Sequence, residues 1–130
     1  MNPHTADIID DCLQASLSGA RHFGQIVAEL AAAGVESYFA DYRARRTTYY
    51  AGPAQRTLTL PAPAVDIPAR FDAGALVDAI RGAQRGEVLY PEFMARSMAA
   101  GCVGYMVWIG GRHVVYMGRD GQTHIERFPS

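Results

Sequence analysis

Residues 31–42 read AAAGVESYFADY, and residues 98–109 read MAAGCVGYMVWI. Placing Gly34 over Gly101 sets an offset of 67 positions, and the same offset holds without a gap from about residue 7 to about residue 57. Ala28, Ala32 and Ala33 fall on Ala95, Ala99 and Ala100. Tyr38, Arg45 and Tyr49 fall on Tyr105, Arg112 and Tyr116. Upstream, Asp11 meets Asp78 and Gly19 meets Gly86; downstream, Gln55 meets Gln122. Other pairs keep their character, among them Phe23 with Tyr90, Ile26 with Phe93 and Leu13 with Ile80. A fixed period of this length is the mark of an internal duplication.

Each half carries the same signals. A first helix is predicted over about 5–18 and again over 72–85, with Thr5 and Asp72 as N-caps. Gly19 and Gly86 stop these helices, because glycine enters the left-handed C′ conformation without a Cβ clash. A second helix follows over 22–33 and 90–100, closed by Gly34 and Gly101; Pro91 suits its first turn. Strands come next. Tyr38, Ala40 and Tyr42 alternate onto one face, as do Tyr105, Val107 and Ile109. Phe39 and Asp41, like Met106 and Trp108, take the other. Further strands are predicted over 46–51 and 55–60, and over 112–117 and 122–128. Gly110-Gly111 and Asp120-Gly121 read as hairpin turns.

The expected architecture is therefore α+β. It is a two-layer sandwich built from a tandem ααβββ duplication, with one antiparallel sheet and helices on one face. One domain spans 1–130: repeat one at about 5–60, a Pro/Ala-rich connector at 61–70, and repeat two at about 71–128. Neither half can bury its own sheet and helices, so the two are expected to complete each other about a pseudo-two-fold axis.

Composition fits this. Apolar residues make up 49% and charged residues 19%, a globular balance rather than a disordered one. The net charge of −1, with Asp41 beside the densest basic cluster (Arg43, Arg45, Arg46), argues against nucleic-acid binding. No apolar run approaches the ~20 residues of a membrane span, and MNPHTADIIDD lacks a secretory pattern. A cytoplasmic protein without membrane partners is expected. Cys12 and Cys102 stand far apart with no CxxC spacing and read as buried apolar residues.

The run MAAGCVGYMVWIGGRHVVYMGRDG, with AAAGVESYFADY upstream and AIRGAQRGEVLYPEF between, resembles the YdfO-like family of small bacterial and prophage proteins, often labelled "phage envelope protein". The resemblance covers nearly the whole chain. It implies an α+β fold and a phage-related protein of unknown function, and it transfers no catalytic residue.

Four groups of residues are candidates for function. Tyr38, Arg45 and Tyr49, with Tyr105, Arg112 and Tyr116, form matched sets. Arginine presents a planar fork to carboxylate or phosphate, and tyrosine offers a stacking face with a hydroxyl. Two such sets about a pseudo-two-fold would line a groove for an anionic ligand. The competing expectation is that the tyrosines are core and each arginine pairs locally. His113, His124 and Glu126 could bind a metal or move protons, but their counterparts Arg46 and Thr57 break the pattern, so no metal is expected. Cys102, at a helix C-terminus, lacks the positive field that lowers a thiol pKa. No GxSxG, HExxH, P-loop or dinucleotide fingerprint occurs, so no cofactor and no catalytic residue is assigned.

The fourth group is apolar surface. With helices on the Tyr105–Val107 face, Met106 and Trp108 lie free, joined by Val114 and Tyr116 or by Val115 and Met117. Met106, Trp108, Val114 and Met117 are the candidate interface, since a contiguous apolar patch marks an interaction site. The leading expectation is a non-enzymatic interaction module that forms a homodimer or binds a protein partner through this face. The alternative is a small-molecule protein or enzyme using the Tyr/Arg groove.

Overall fold

Tyr38 and Tyr105 lie on the two central strands of a single six-stranded sheet. The computed structural model describes residues 1–129. The first half supplies α1 (Pro3–Ser18), α2 (Phe23–Ala32), β1 (Ser37–Asp41), β2 (Arg46–Ala51) and β3 (Ala54–Thr59). The second supplies α3 (Ala73–Gln84), α4 (Tyr90–Ala99), β4 (Cys102–Trp108), β5 (His113–Gly118) and β6 (Thr123–Arg127). The sheet is antiparallel throughout, in the order β3-β2-β1-β4-β5-β6. The protein has an α+β fold.

The caps explain most helix boundaries. Asp72 accepts from the Ala75 N–H, as expected. For α1 the cap is Asn2 rather than Thr5. Asn2 Oδ1 accepts the His4 N–H at 2.8 Å, and Pro3 opens the helix where its missing N–H costs nothing. Thr5 lies inside the helix, and its hydroxyl donates to the Ala33 carbonyl at 2.8 Å, tying α1 to the end of α2. His22 heads α2 through a capping box with Gln25.

Two halves meet at β1–β4. Phe39 pairs with Met106, Tyr38 with Val107 and Ala40 with Tyr105. Flanking these, the Tyr42 N–H donates to Val103 O at 3.0 Å and the Ile109 N–H donates to Glu36 O at 3.1 Å. The only described non-glycine residues at positive φ are Arg45 (57°) and Arg112 (56°), which share the 67-residue offset. Gly19 (78°) and Gly86 (75°) match in the same way, as do Gly34 (93°) and Gly101 (97°).

Helices cover one face. Tyr42 bonds Ser97 of α4 at 2.9 Å, Arg56 of β3 holds Asp10 of α1 at 2.7 Å, and Arg81 of α3 holds Glu126 of β6. Between the layers Ile9, Leu30, Leu76, Met94 and Val107 are fully buried. Each such side chain contributes about 1.5–3 kcal/mol relative to exposure. The connector closes one end of the sandwich. Leu60 and Ile67 are buried, Arg45 donates to the Ala62 carbonyl, and Arg119 donates to the Ile67 carbonyl at 2.6 Å.

Candidate functional site: a tyrosine-lined cavity

The 67-residue offset relates α1 to α3 and α2 to α4. α1 packs against α4, but its counterpart, α2 against α3, is far looser. A cavity of about 960 Å³ opens there, between the helices and the sheet. That volume is at the upper end of what small-molecule sites use. Tyr38, Thr47, Tyr49, Tyr105 and Tyr116 line it from the sheet side. Ile26, Leu30, Ile80, Tyr90 and Phe93 line it from the helices.

Sheet geometry puts the tyrosines together. Tyr38 and Tyr49 are cross-strand partners and stack with centroids 5.2 Å apart. Tyr105 and Tyr116 are partners in the second half, 5.5 Å apart. Phe93 lies 6.1 Å from Tyr116. The four sequence-predicted tyrosines therefore share one cavity. Burial holds each of their hydroxyls well above the ordinary phenol range, so they stay protonated and can donate. Tyr105 donates to Tyr90 at 2.5 Å. Tyr38, Tyr49 and Tyr116 meet no hydrogen-bond partner among the described residues. Thr47 is 2% exposed, and its Oγ1 is the one fully buried side-chain polar atom without a partner among the described residues.

The two predicted arginines do not converge. Each follows a central strand, and β1 and β4 run antiparallel, so Arg45 and Arg112 sit at opposite ends of the sheet. Arg45 is engaged with the connector at Ala62. Arg112 reaches the cavity, where its guanidinium lies 5.5 Å over the Phe128 ring and donates to Pro129 O at 3.3 Å. The symmetric Tyr/Arg groove expected from the sequence is thus replaced by a cavity with tyrosines from both halves and an arginine from one.

The mouth carries exposed apolar side chains beside the charged Arg85 and Arg112. Phe23 and Leu89, 42% and 52% exposed, flank it, and Phe23 meets Phe128 edge-on at 5.3 Å. Glu126 lines the wall. Burial alone would raise its pKa, but hydrogen bonds from Arg81 and His124 outweigh that and hold it below the ordinary value. His124 bonds Glu126 at 3.0 Å on the helix-facing side, whereas His113 lies on the other face with Nδ1 3.1 Å from Gly111 O. The three residues do not form one cluster.

Cys12 lines the cavity, and burial with a hydrogen bond to Glu29 pushes its thiol up to about 11. Burial does the same for Cys102, also to about 11. Both are buried, as the sequence predicted.

On the uncovered face lie Phe39, Met106, Trp108, Val115, Met117 and Ile125. Trp108 is 43% exposed and Ile125 55%. Val114 is not among them. It is 4% exposed and pairs with Val107 on the helix side, because residues 114 and 117 have opposite parity along one strand. Val115 takes its place.

No helix among the described residues is long and apolar enough to cross a membrane. No protein-family model matches the chain. Over 63 residues it is 38% identical to the uncharacterized protein Mb2035 of Mycobacterium bovis, and equally to the uncharacterized protein Rv2012 of Mycobacterium tuberculosis. The matched stretch covers 48% of this chain and 38% of those proteins.

Proposed function

We propose that this is a non-enzymatic binding module that takes a small, largely apolar molecule into the cavity between α2, α3 and the sheet. The observation that carries this is the cavity itself: about 960 Å³, walled by aromatic side chains, with Phe23 and Leu89 exposed at its entrance. Such pockets hold ligands by apolar burial, with a few polar groups fixing orientation. The lining offers no activated nucleophile, since its thiol and phenols are all held protonated. This revises the anionic-ligand groove expected from the sequence, because Arg45 lies outside the cavity. The test is titration with the uncharged dye N-phenyl-1-naphthylamine at native pH. Saturable enhancement abolished by Ala83→Trp, in a variant that stays folded, supports the cavity. Enhancement untouched by that substitution places the dye elsewhere.

A second reading rests on a different observation. Trp108 and Ile125 leave an apolar band on the free sheet face, centred near Phe39 and Met106. This favours self-association through that face. Light scattering on the wild type and on Trp108→Asp separates the two. A wild-type dimer that becomes a folded monomer supports the interface; a monomer in both cases removes it.

A further inference from the structure

The same cavity supports a narrower statement about what it holds, resting on the small-molecule reading above. Tyr105 donates to Tyr90, so the Tyr90 oxygen is already used as an acceptor and its own proton remains to be given. The protons of Tyr38, Tyr49 and Tyr116 meet no acceptor among the described residues, and Thr47 Oγ1 is buried without a partner. A buried hydroxyl left unpaired costs about 1–3 kcal/mol. The acceptor that could serve them, Glu126, is occupied by Arg81 and His124. The cavity is therefore rich in donors and short of acceptors.

Charge narrows the choice. Two arginines of the lining are neutralised by ion pairs, Arg21 by Asp11 and Glu29 and Arg85 by Glu87. Glu126, beside Tyr116, is likewise paired, by Arg81, and Arg112 is held over the Phe128 ring and on the Pro129 carbonyl. An anion held by the tyrosines would thus find each of these cations already engaged, in surroundings of low dielectric. A cation would leave the offered protons unmatched.

We infer that the ligand is an uncharged ring compound bearing a carbonyl, its ring against the Tyr38–Tyr49 stack and Phe93 and its oxygen accepting from Tyr90, with Tyr116 as a further donor. The Tyr105–Tyr90 chain strengthens the donor, because a hydroxyl that accepts one hydrogen bond gives a stronger second one.

A set of probes with one ring system and three heads tests this: naphthalene, 2-acetylnaphthalene and 2-naphthoate, titrated by calorimetry into wild type, Tyr90→Phe and Tyr116→Phe. The expected result is 2-acetylnaphthalene bound about tenfold tighter than naphthalene, one hydrogen bond's worth. That margin should fall about tenfold in Tyr90→Phe, with naphthalene unchanged. Tyr116→Phe, which removes an unmatched cavity donor, should narrow the same margin and gives a second reading should Tyr90→Phe fold poorly. Equal binding of naphthalene and 2-acetylnaphthalene overturns the donor inference and leaves the cavity intact. So does 2-naphthoate binding tightest, which would make the site anionic. Binding of none of the three overturns the cavity reading together with this one.

Discussion

Phe39 faces Met106 across the two central strands, and the two are separated by the 67 positions that separate every matched pair in the chain. A pairing centred on two counterpart residues places an approximate two-fold axis between them. It follows that Tyr38 and Tyr105, one step either way, lie on the same face and near the axis. The cavity departs from that symmetry, since α1 closes on α4 while α2 stands off from α3.

Glycines at matched positions should differ sharply in tolerance. Gly34 has φ 93° but open space around it, so Gly34→Ala should cost about 1 kcal/mol in backbone strain. Gly101 has φ 97°, and a Cβ there would overlap the Arg70 carbonyl. A Cβ on Gly104 would overlap the Ala40 carbonyl of the neighbouring strand. Gly101→Ala and Gly104→Ala should each cost about 3 kcal/mol or more, as strain and overpacking add. Urea denaturation of the three variants measures the contrast.

Thr47→Val should stabilise the ligand-free protein by about 1 kcal/mol. It removes a hydroxyl with no partner and keeps a β-branched shape suited to a strand. A raised melting temperature is expected. A lowered one would mean that the hydroxyl is satisfied in solution.

Much of this is legible in the sequence. The repeat predicts the element order, the four helix-ending glycines and the face shared by Tyr38 and Tyr105. Other features are not. Asn2-Pro3 outcompetes Thr5 because the proline fixes the first helical φ, a signal only two residues from the start of the sequence. At the Gly110-Gly111 turn the left-handed residue is Arg112, not a glycine. Sequence rules assign that conformation to Gly or Asn and so overlook arginine. The Val114 side depended on strand phase, which is ambiguous where both parities are apolar. The cavity depended on a helix spacing that no local pattern encodes.

Glu126 makes stability depend on pH. Arg81 and His124 hold its folded pKa below the ordinary carboxylate value, despite burial, so the unfolded state binds the proton more readily. Its contribution is present in full above that value and is lost as the pH falls through the lower folded one. Glu126→Gln should flatten the melting-temperature profile in this acidic range and lower stability at neutral pH. Matching profiles for variant and wild type would remove Glu126 as a source of the slope.

Both thiols should be silent in the native state. Burial raises each to about 11, so at pH 8 few are thiolate and neither is accessible. Ellman's reagent should titrate neither in native protein and both, Cys12 and Cys102, in 6 M guanidinium (about the strength needed for full unfolding). Fast native reaction of Cys12 would show that the cavity wall opens.

The most direct measurement is a two-dimensional amide spectrum of labelled protein titrated with 2-acetylnaphthalene. Binding in the cavity predicts saturable shifts at Tyr38, Thr47, Tyr49, Tyr90 and Tyr116, with Trp108 and Ile125 unmoved. Shifts confined to Trp108, Met117 and Ile125 would contradict it and place the binding surface on the uncovered face of the sheet.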